Sequence, residues 1–438
     1  MSVSKAKPSE DRIADNGARG RIKAYWKALG PGLITGASDD DPSGIGTYSQ
    51  TGAAFGYAQL WTALFTFPLM AGIQEICARI GLQTGTGLAE VIRKHYPRPV
   101  LYFCVTLLFV ANTINLGADL GAMAASARLL LGIPFIIWLI AITLVSVILQ
   151  IFIDYKHYAR VLRFLTLSLL AYLLVPFASS MNWGQALQNT LIPTVQFDKD
   201  YLMNLVALLG TTISPYLFFW QASQEMEEKI EQGKKTPGAR RGVTRVALKW
   251  MRTDVMSGMA LSNLVSWFII ATTASTLYLH GIRNIDSATQ AAEALKPVAG
   301  DLAYFLFALG IIGTGLLAAP ILAGSAAYAV AETFRLREGL FLKLHEAPAF
   351  YGIITLSMLI GFAMNLIGIN PIQALYYTAV LNGLVAPPLL VMIMLIGNNG
   401  KIMRDKINGR LSNLLGWITT VLMGLAALAL LFTLGSGQ

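Results

Sequence analysis

Three consecutive carboxylates, Asp39, Asp40 and Asp41, stand directly before Pro42 in a stretch that carries no other charge between Lys27 and Glu75. Asp41 lies 14 residues beyond Lys27. On a helix that is roughly 20 Å, deep in the hydrocarbon zone of a bilayer. A carboxylate at that depth is costly unless a cation, a proton or hydrogen-bond donors compensate it. Pro42 removes a helix N–H, and Gly44 and Gly46 weaken the helix further, so the chain is expected to break here. A break frees carbonyl oxygens beside the carboxylate, which is the oxygen donor set of a hard cation. The competing reading is a proline kink whose aspartates face a water-filled vestibule or cap the next half-helix, and it suits Asp39 and Asp40 better than Asp41.

A second interruption reads Gly210-Thr211-Thr212-Ile213-Ser214-Pro215 in the middle of an apolar run. Asp119 is the other isolated carboxylate in a span, either a member of a proton relay or a group kept neutral by hydrogen bonding. Glu75 and Arg79 are four apart and read as a local helix ion pair, while Arg128 is near a helix end and can snorkel. His95, His157, His280 and His345 all lie away from both breaks. The chain has no H-E-x-x-H pair and no nucleophile with a base, which argues against an intramembrane enzyme.

The elements that hold these residues follow from hydropathy. The chain has 438 residues, 55% hydrophobic and 13% charged, about half the charge of a soluble domain. Apolar stretches of spanning length with few charges predict helices over 28–54, 57–80, 101–130, 134–154, 161–181, 201–226, 254–280, 300–333, 348–368, 371–396 and 412–435, eleven in all. If the N-terminus is cytoplasmic, all but four of the 33 Lys and Arg residues fall on the cytoplasmic side, the exceptions being Arg128, Lys199, Arg283 and Lys296. The net charge of +9 is therefore a positive-inside bias and calls for no nucleic acid. The polar first 22 residues lack a signal-peptide core, so the first span acts as an uncleaved anchor. The Lys229 to Arg245 stretch, with Gly233, Pro237 and Gly238, reads as a mobile cytoplasmic loop. Cys77 and Cys104 lie in apolar spans, and no disulfide is expected.

Two interrupted helices five spans apart are the mark of an inverted repeat with its site where both unwind. The expected fold is an all-α integral membrane protein of about eleven spans in a five-plus-five, LeuT-like arrangement. Residues 1–27 form a cytoplasmic tail, 28–410 a core of two five-helix units (about 28–181 and 201–396), and 411–438 a peripheral eleventh helix.

The chain also resembles a known family, the natural resistance-associated macrophage protein (Nramp) divalent-metal transporters. Gly30-Pro31-Gly32 followed by Asp41-Pro42-Ser43-Gly44 is similar to that family's G-P-G and D-P-G-N. Further likeness lies in Gln74, Ala78-Arg79, Gly81, Thr84-Gly85 and Leu88-Ala89-Glu90, in Gly132-Ile133-Pro134, and in the sixth-helix break. The resemblance implies metal ligation by Asp41, with the position of the family's metal-binding Asn taken here by Gly44. The family's A-x-x-M-P-H pattern appears as Thr211, Ser214, Pro215 and Tyr216, without the thioether and the histidine. An oxygen-only site suits Mg²⁺ or Ca²⁺ over softer transition metals, and a wider one suits a partly hydrated ion. The chain looks most like the Nramp-related magnesium transporter branch, which implies uptake of Mg²⁺ or Mn²⁺ as transported substrate, with no cofactor. The family's acidic pair in the third helix becomes Leu116 and Asp119, so proton coupling is not implied. The tenth helix supplies a polar amide in the family, and Asn382 is the matching candidate. The resemblance places the protein in a bacterial inner membrane. Two alternatives share this architecture: a proton-coupled Mn²⁺/Fe²⁺ symporter, and a cation-coupled amino-acid symporter, whose carboxylate substrate the Asp39 to Asp41 cluster would repel.

Overall fold

The computed structural model describes residues 30–153, 166–179 and 181–436. The expected N-terminal tail, His157 and the opening residues of the fifth helix lie outside the described residues.

Both breaks form where proline dictates. The first span runs as Pro31–Asp39, pauses at Asp40 and Asp41, and resumes as Pro42–Phe55. Asp41 is extended (φ −68°, ψ 171°) and its side chain caps the second half by accepting from the Gly44 amide. The sixth span runs as Lys199–Thr212, pauses at Ile213 and Ser214, and resumes as Pro215–Glu231. Pro42 and Pro215 each occupy the first turn of a half-helix, where a missing N–H costs nothing, and each pushes the residue before it out of the helical region.

The remaining spans are Trp61–Thr84, Arg98–Leu131, Phe135–Phe152, Leu170–Ala178 as described, Arg245–Thr273, Ala303–Phe334, Pro348–Met364, Pro371–Gly397 and Arg410–Ser436. Among the described residues, nine helices are long and apolar enough to cross a membrane. The broken first span and the partly described fifth complete the expected eleven. Exposed Ile136, Ile137, Ile140 and Leu144 give the fourth span an apolar outer face suited to lipid.

Several elements differ from expectation. The seventh span begins at Arg245, nine residues before the expected start at Asp254, because Thr244 caps it by accepting from the Ala247 amide at 3.1 Å. Leu88–His95 and Trp183–Leu191 are additional short helices, the first of them amphipathic. The loop expected to be mobile is pinned. Lys229 is buried and its ammonium donates to the carbonyls of Leu82, Arg240 (2.6 Å) and Gly242 (2.8 Å), while the Gly242 amide donates to Gln83 O at 2.9 Å. The Glu75–Arg79 pair is present at 3.1 Å and extends to Arg252, Asn408 Oδ1 and the Lys406 carbonyl.

The first span lies along the seventh at backbone contact. A methyl group on Gly36 would collide with the Gly258 backbone, and one on Gly258 with the Gly32 carbonyl oxygen. Small residues four apart allow this close approach between spanning helices. Gly210 of the sixth span meets the tenth span in the same way, with no room for a methyl group beside the Ala379 carbonyl oxygen. The half-helices of the first span also touch those of the sixth directly, and the two breaks meet there.

Candidate cation site

Asp41 is 1% exposed. Its Oδ1 accepts from the Gly44 amide at 2.6 Å and from Ser43 Oγ at 2.8 Å. Its Oδ2 accepts from Asn115 Nδ2 of the third span at 3.0 Å. The first break thus holds the carboxylate from its own next turn and from a neighbouring helix.

Gly44 marks the meeting point of the two breaks. A methyl group there would lie 3.0 Å from the Asp39 carbonyl oxygen, 3.3 Å from Asp41 Oδ1 and 3.3 Å from Thr211 Oγ1. A carbonyl, a carboxylate and a hydroxyl therefore surround one point, and a glycine leaves that point open. Among the described residues no three His, Cys, Asp or Glu side chains gather as a metal cluster. The oxygens at this point come from one carboxylate and two neutral groups, a hard donor set.

The other expected residues fall into place less evenly. Ser214 caps nothing with its side chain; its hydroxyl turns back onto the Gly210 (3.0 Å) and Thr211 (2.5 Å) carbonyls. Tyr216 donates to the Ser38 carbonyl at 3.0 Å and so ties the sixth span to the end of the first half-helix. Asn382 is buried and its Nδ2 has no hydrogen-bond partner; no hydrogen bond joins it to Asp41 or Thr211 among the described residues. Asp119 is fully buried, and neither oxygen has a donor at hydrogen-bonding geometry, although the Ser43 amide approaches it and Asp41 is a near neighbour.

Asp39 and Asp40 do not face a vestibule. Both are buried against the seventh span, where Ser262 Oγ donates to Asp39 Oδ2 at 2.7 Å and approaches Asp40 Oδ1 at 3.2 Å. It is the backbone of Asp39, not its carboxylate, that reaches the Gly44 point.

Four residues around the candidate site have no role in the sequence reading: Asn115, Ser43, Ser262 and Asp254. Asp254 sits one turn before Gly258 and accepts from the amides of Gly30 (2.8 Å), Gly32 (2.8 Å) and Leu33 (3.1 Å), capping the first span's free N–H groups. Asn115 carried a usable signal. It precedes Asp119 by four residues in a largely apolar helix, which puts both on one face.

A cavity of about 590 Å³ opens beyond the second half of the first span, between Ile45, Ser49 and Gln50 on one side and Asp200, Asp286 and Gln373 on others. Leu375 of the tenth span packs on Gly46 at the cavity's inner end, within 2.9 Å of where a methyl group would sit. Asp41, one helical turn before Ile45, does not line it.

Comparison with known proteins accords with this geometry. The family model described as natural resistance-associated macrophage protein-like (Nramp) matches residues 32–433. A protein of Klebsiella pneumoniae (strain 342) named divalent metal cation transporter MntH is 26% identical over 421 residues, covering 95% of this chain and 96% of its own. A second of that name, from K. pneumoniae subsp. pneumoniae, is 27% identical over 415 residues, covering 93% and 94%. A crystal structure of the Eremococcus coleocola manganese transporter superposes with a TM-score of 0.73 at 18% identity, over 98% of this chain and 91% of that one. The inward-facing conformation of Mhp1 superposes with a TM-score of 0.54 at 15% identity, over 93% and 91%. At these identities the structures speak to the fold, an all-α membrane fold with five-plus-five inverted repeats and discontinuous first and sixth helices. With nearly its whole length matched by the family model, the chain is a multi-pass membrane transporter, not an enzyme, and it belongs to the Nramp-like family.

Proposed function

We propose that this protein carries divalent metal cations across the membrane, Mg²⁺ and Mn²⁺ foremost, by alternating access around the Asp41–Gly44–Thr211 point. The observation that supports this most directly is the convergence of three oxygens from the two helix breaks on the side-chain-free face of Gly44. Relatives named divalent metal cation transporters match over nearly the whole chain, which supports the substrate class. The donor set is oxygen only, and hard ions favour oxygen. Ser214 and Asn382 complete the proposed surroundings, the first by the carbonyls its hydroxyl fixes and the second by its buried amide. Two inverted units over about 28–181 and 201–396, with the eleventh span at the periphery, supply the rocking parts. A bacterial inner membrane is the setting we propose, with the N-terminus cytoplasmic because the basic residues then fall on the inner side.

The test is Mn²⁺ uptake into liposomes containing only this protein, with Mg²⁺ as competitor. Asp41→Ala is expected to reduce uptake to background, and excess Mg²⁺ to suppress uptake by the parent protein. Undiminished uptake by Asp41→Ala would sink the site. A second reading, proton-coupled Mn²⁺ transport, is favoured by one feature: Asp119 is a buried carboxyl without a donor, beside Asp41. A pH dye inside the same liposomes separates the two. Facilitated transport leaves internal pH unchanged during Mn²⁺ entry, whereas acidification in step with entry assigns Asp119 a proton.

A further inference from the structure

Asn115 is wholly buried in the third span. Its Nδ2 donates to Asp41 Oδ2 at 3.0 Å, and its Oδ1 has no donor. A buried acceptor without a partner is uncommon and calls for a reason. The carboxylate it touches already receives the Gly44 amide and the Ser43 hydroxyl on its other side, so the amide donor is not the group that rescues Asp41 from isolation. Around Gly44 the protein gathers three oxygens, fewer than the roughly six that a hard divalent ion takes.

The primary amide is planar, and a half-turn about χ2 exchanges its NH₂ and C=O at almost constant volume. With the NH₂ forward it suits a bare carboxylate. With a cation held by Asp41, a forward NH₂ is repelled and a forward carbonyl oxygen is attracted. We propose that Asn115 is a reversible metal ligand, which donates to Asp41 when the carboxylate is bare and turns Oδ1 onto the ion when it is occupied. The third span then becomes a party to binding alongside the first and sixth, and the ion's arrival is sensed by a helix that carries no part of either break. Asp119, four residues further along the same helix face, stays outside the ligand set.

This inference rests on Asp41 being a cation ligand, and the experiment keeps the two apart. The full-length protein in detergent is titrated calorimetrically with Mn²⁺, then with Mg²⁺, as the parent and as Asn115→Leu, Asn115→Asp and Asp41→Ala. Asn115→Leu removes both amide groups and is expected to weaken binding at least about tenfold. Asn115→Asp keeps an oxygen but loses the donor, so binding is expected to stay within about threefold of the parent or to tighten. If Asn115→Asp loses as much as Asn115→Leu, the residue acts only as a donor that positions Asp41 and the proposal is overturned. Unchanged binding by Asn115→Leu overturns it as well. Should the leucine variant fail to fold, the aspartate variant against the parent decides alone, since only a ligand role survives loss of the NH₂. Parent-like binding by Asp41→Ala instead refutes the site itself, whatever Asn115 does.

Discussion

Asp41 is held by donors on both oxygens while Gly44, three residues on, contributes only an amide and the lack of a side chain. The gap above Gly44 matters as much as the carboxylate below it. Gly44→Ala places a methyl group 3.0–3.3 Å from all three converging oxygens. Gly44 lies within the regular Pro42–Phe55 helix, where alanine is the better helix former, so the fold should tolerate the change. The expected outcome is a loss of Mn²⁺ uptake of about tenfold or more with an unchanged melting temperature in detergent. Uptake at the parental level would mean that the ion does not approach this point. The local chemistry of the site was legible because it is short-range: a carboxylate before a proline is an N-cap, and a glycine two residues later announces close approach. Asn115 and Ser262 were not legible, since they stand 74 and 223 residues from their partners Asp41 and Asp39.

At the scale of elements, the first half of the first span is a nine-residue helix whose N-terminus is tethered to the seventh span rather than continued. Asp254 supplies that tether by taking three backbone amides at once. A carboxylate at a helix N-terminus answers both the unpaired N–H groups and the dipole. Asp254→Ala leaves three donors without their acceptor and is expected to cost about 3 kcal/mol, read as a lower unfolding midpoint, with the Asp41 site loosened in step. Asp254→Asn, which keeps one acceptor oxygen, should recover part of the loss. Equal stability of parent and Asp254→Ala would show that the Gly32, Gly36 and Gly258 seam carries the half-helix unaided. Hydropathy located this element, yet it assigned the seventh span a start nine residues late. A basic turn such as Arg245 to Arg252 reads as loop by charge and is helix by virtue of its Thr244 cap.

For the whole molecule, the cavity and the pinned loop after the sixth span lie at opposite ends of the spans. Gln373 lines the cavity and is exposed, whereas Lys235 is exposed in the loop after the sixth span. Cys77 and Cys104 are both buried, which keeps native thiol labelling low. With the N-terminus cytoplasmic, Gln373→Cys in intact cells should react with a membrane-impermeant maleimide added outside, and Lys235→Cys should react only after lysis. The reverse pattern would invert the topology inferred from the basic residues. Mn²⁺ or Mg²⁺ in excess should also change the labelling rate at Gln373→Cys if the cavity opens and closes with transport; a constant rate would place the moving parts elsewhere.

The sequence alone determined the spans and both breaks, and it singled out Asp41 as a candidate, because burial in lipid and the missing N–H of proline act on neighbouring residues within one stretch of chain. Only the tertiary structure decided what faces Asp41. Rotation and sliding of each helix are set by backbone contact at Gly32, Gly36 and Gly258 and at Gly210 and Ala379, and a shift of one residue turns a helical side chain by about 100°. That rotation sends the Asp39 and Asp40 side chains to Ser262 and the Asp39 carbonyl to Gly44, and it brings Asn115 to Asp41. No local pattern encodes those pairings, since they arise from packing between helices far apart in the chain.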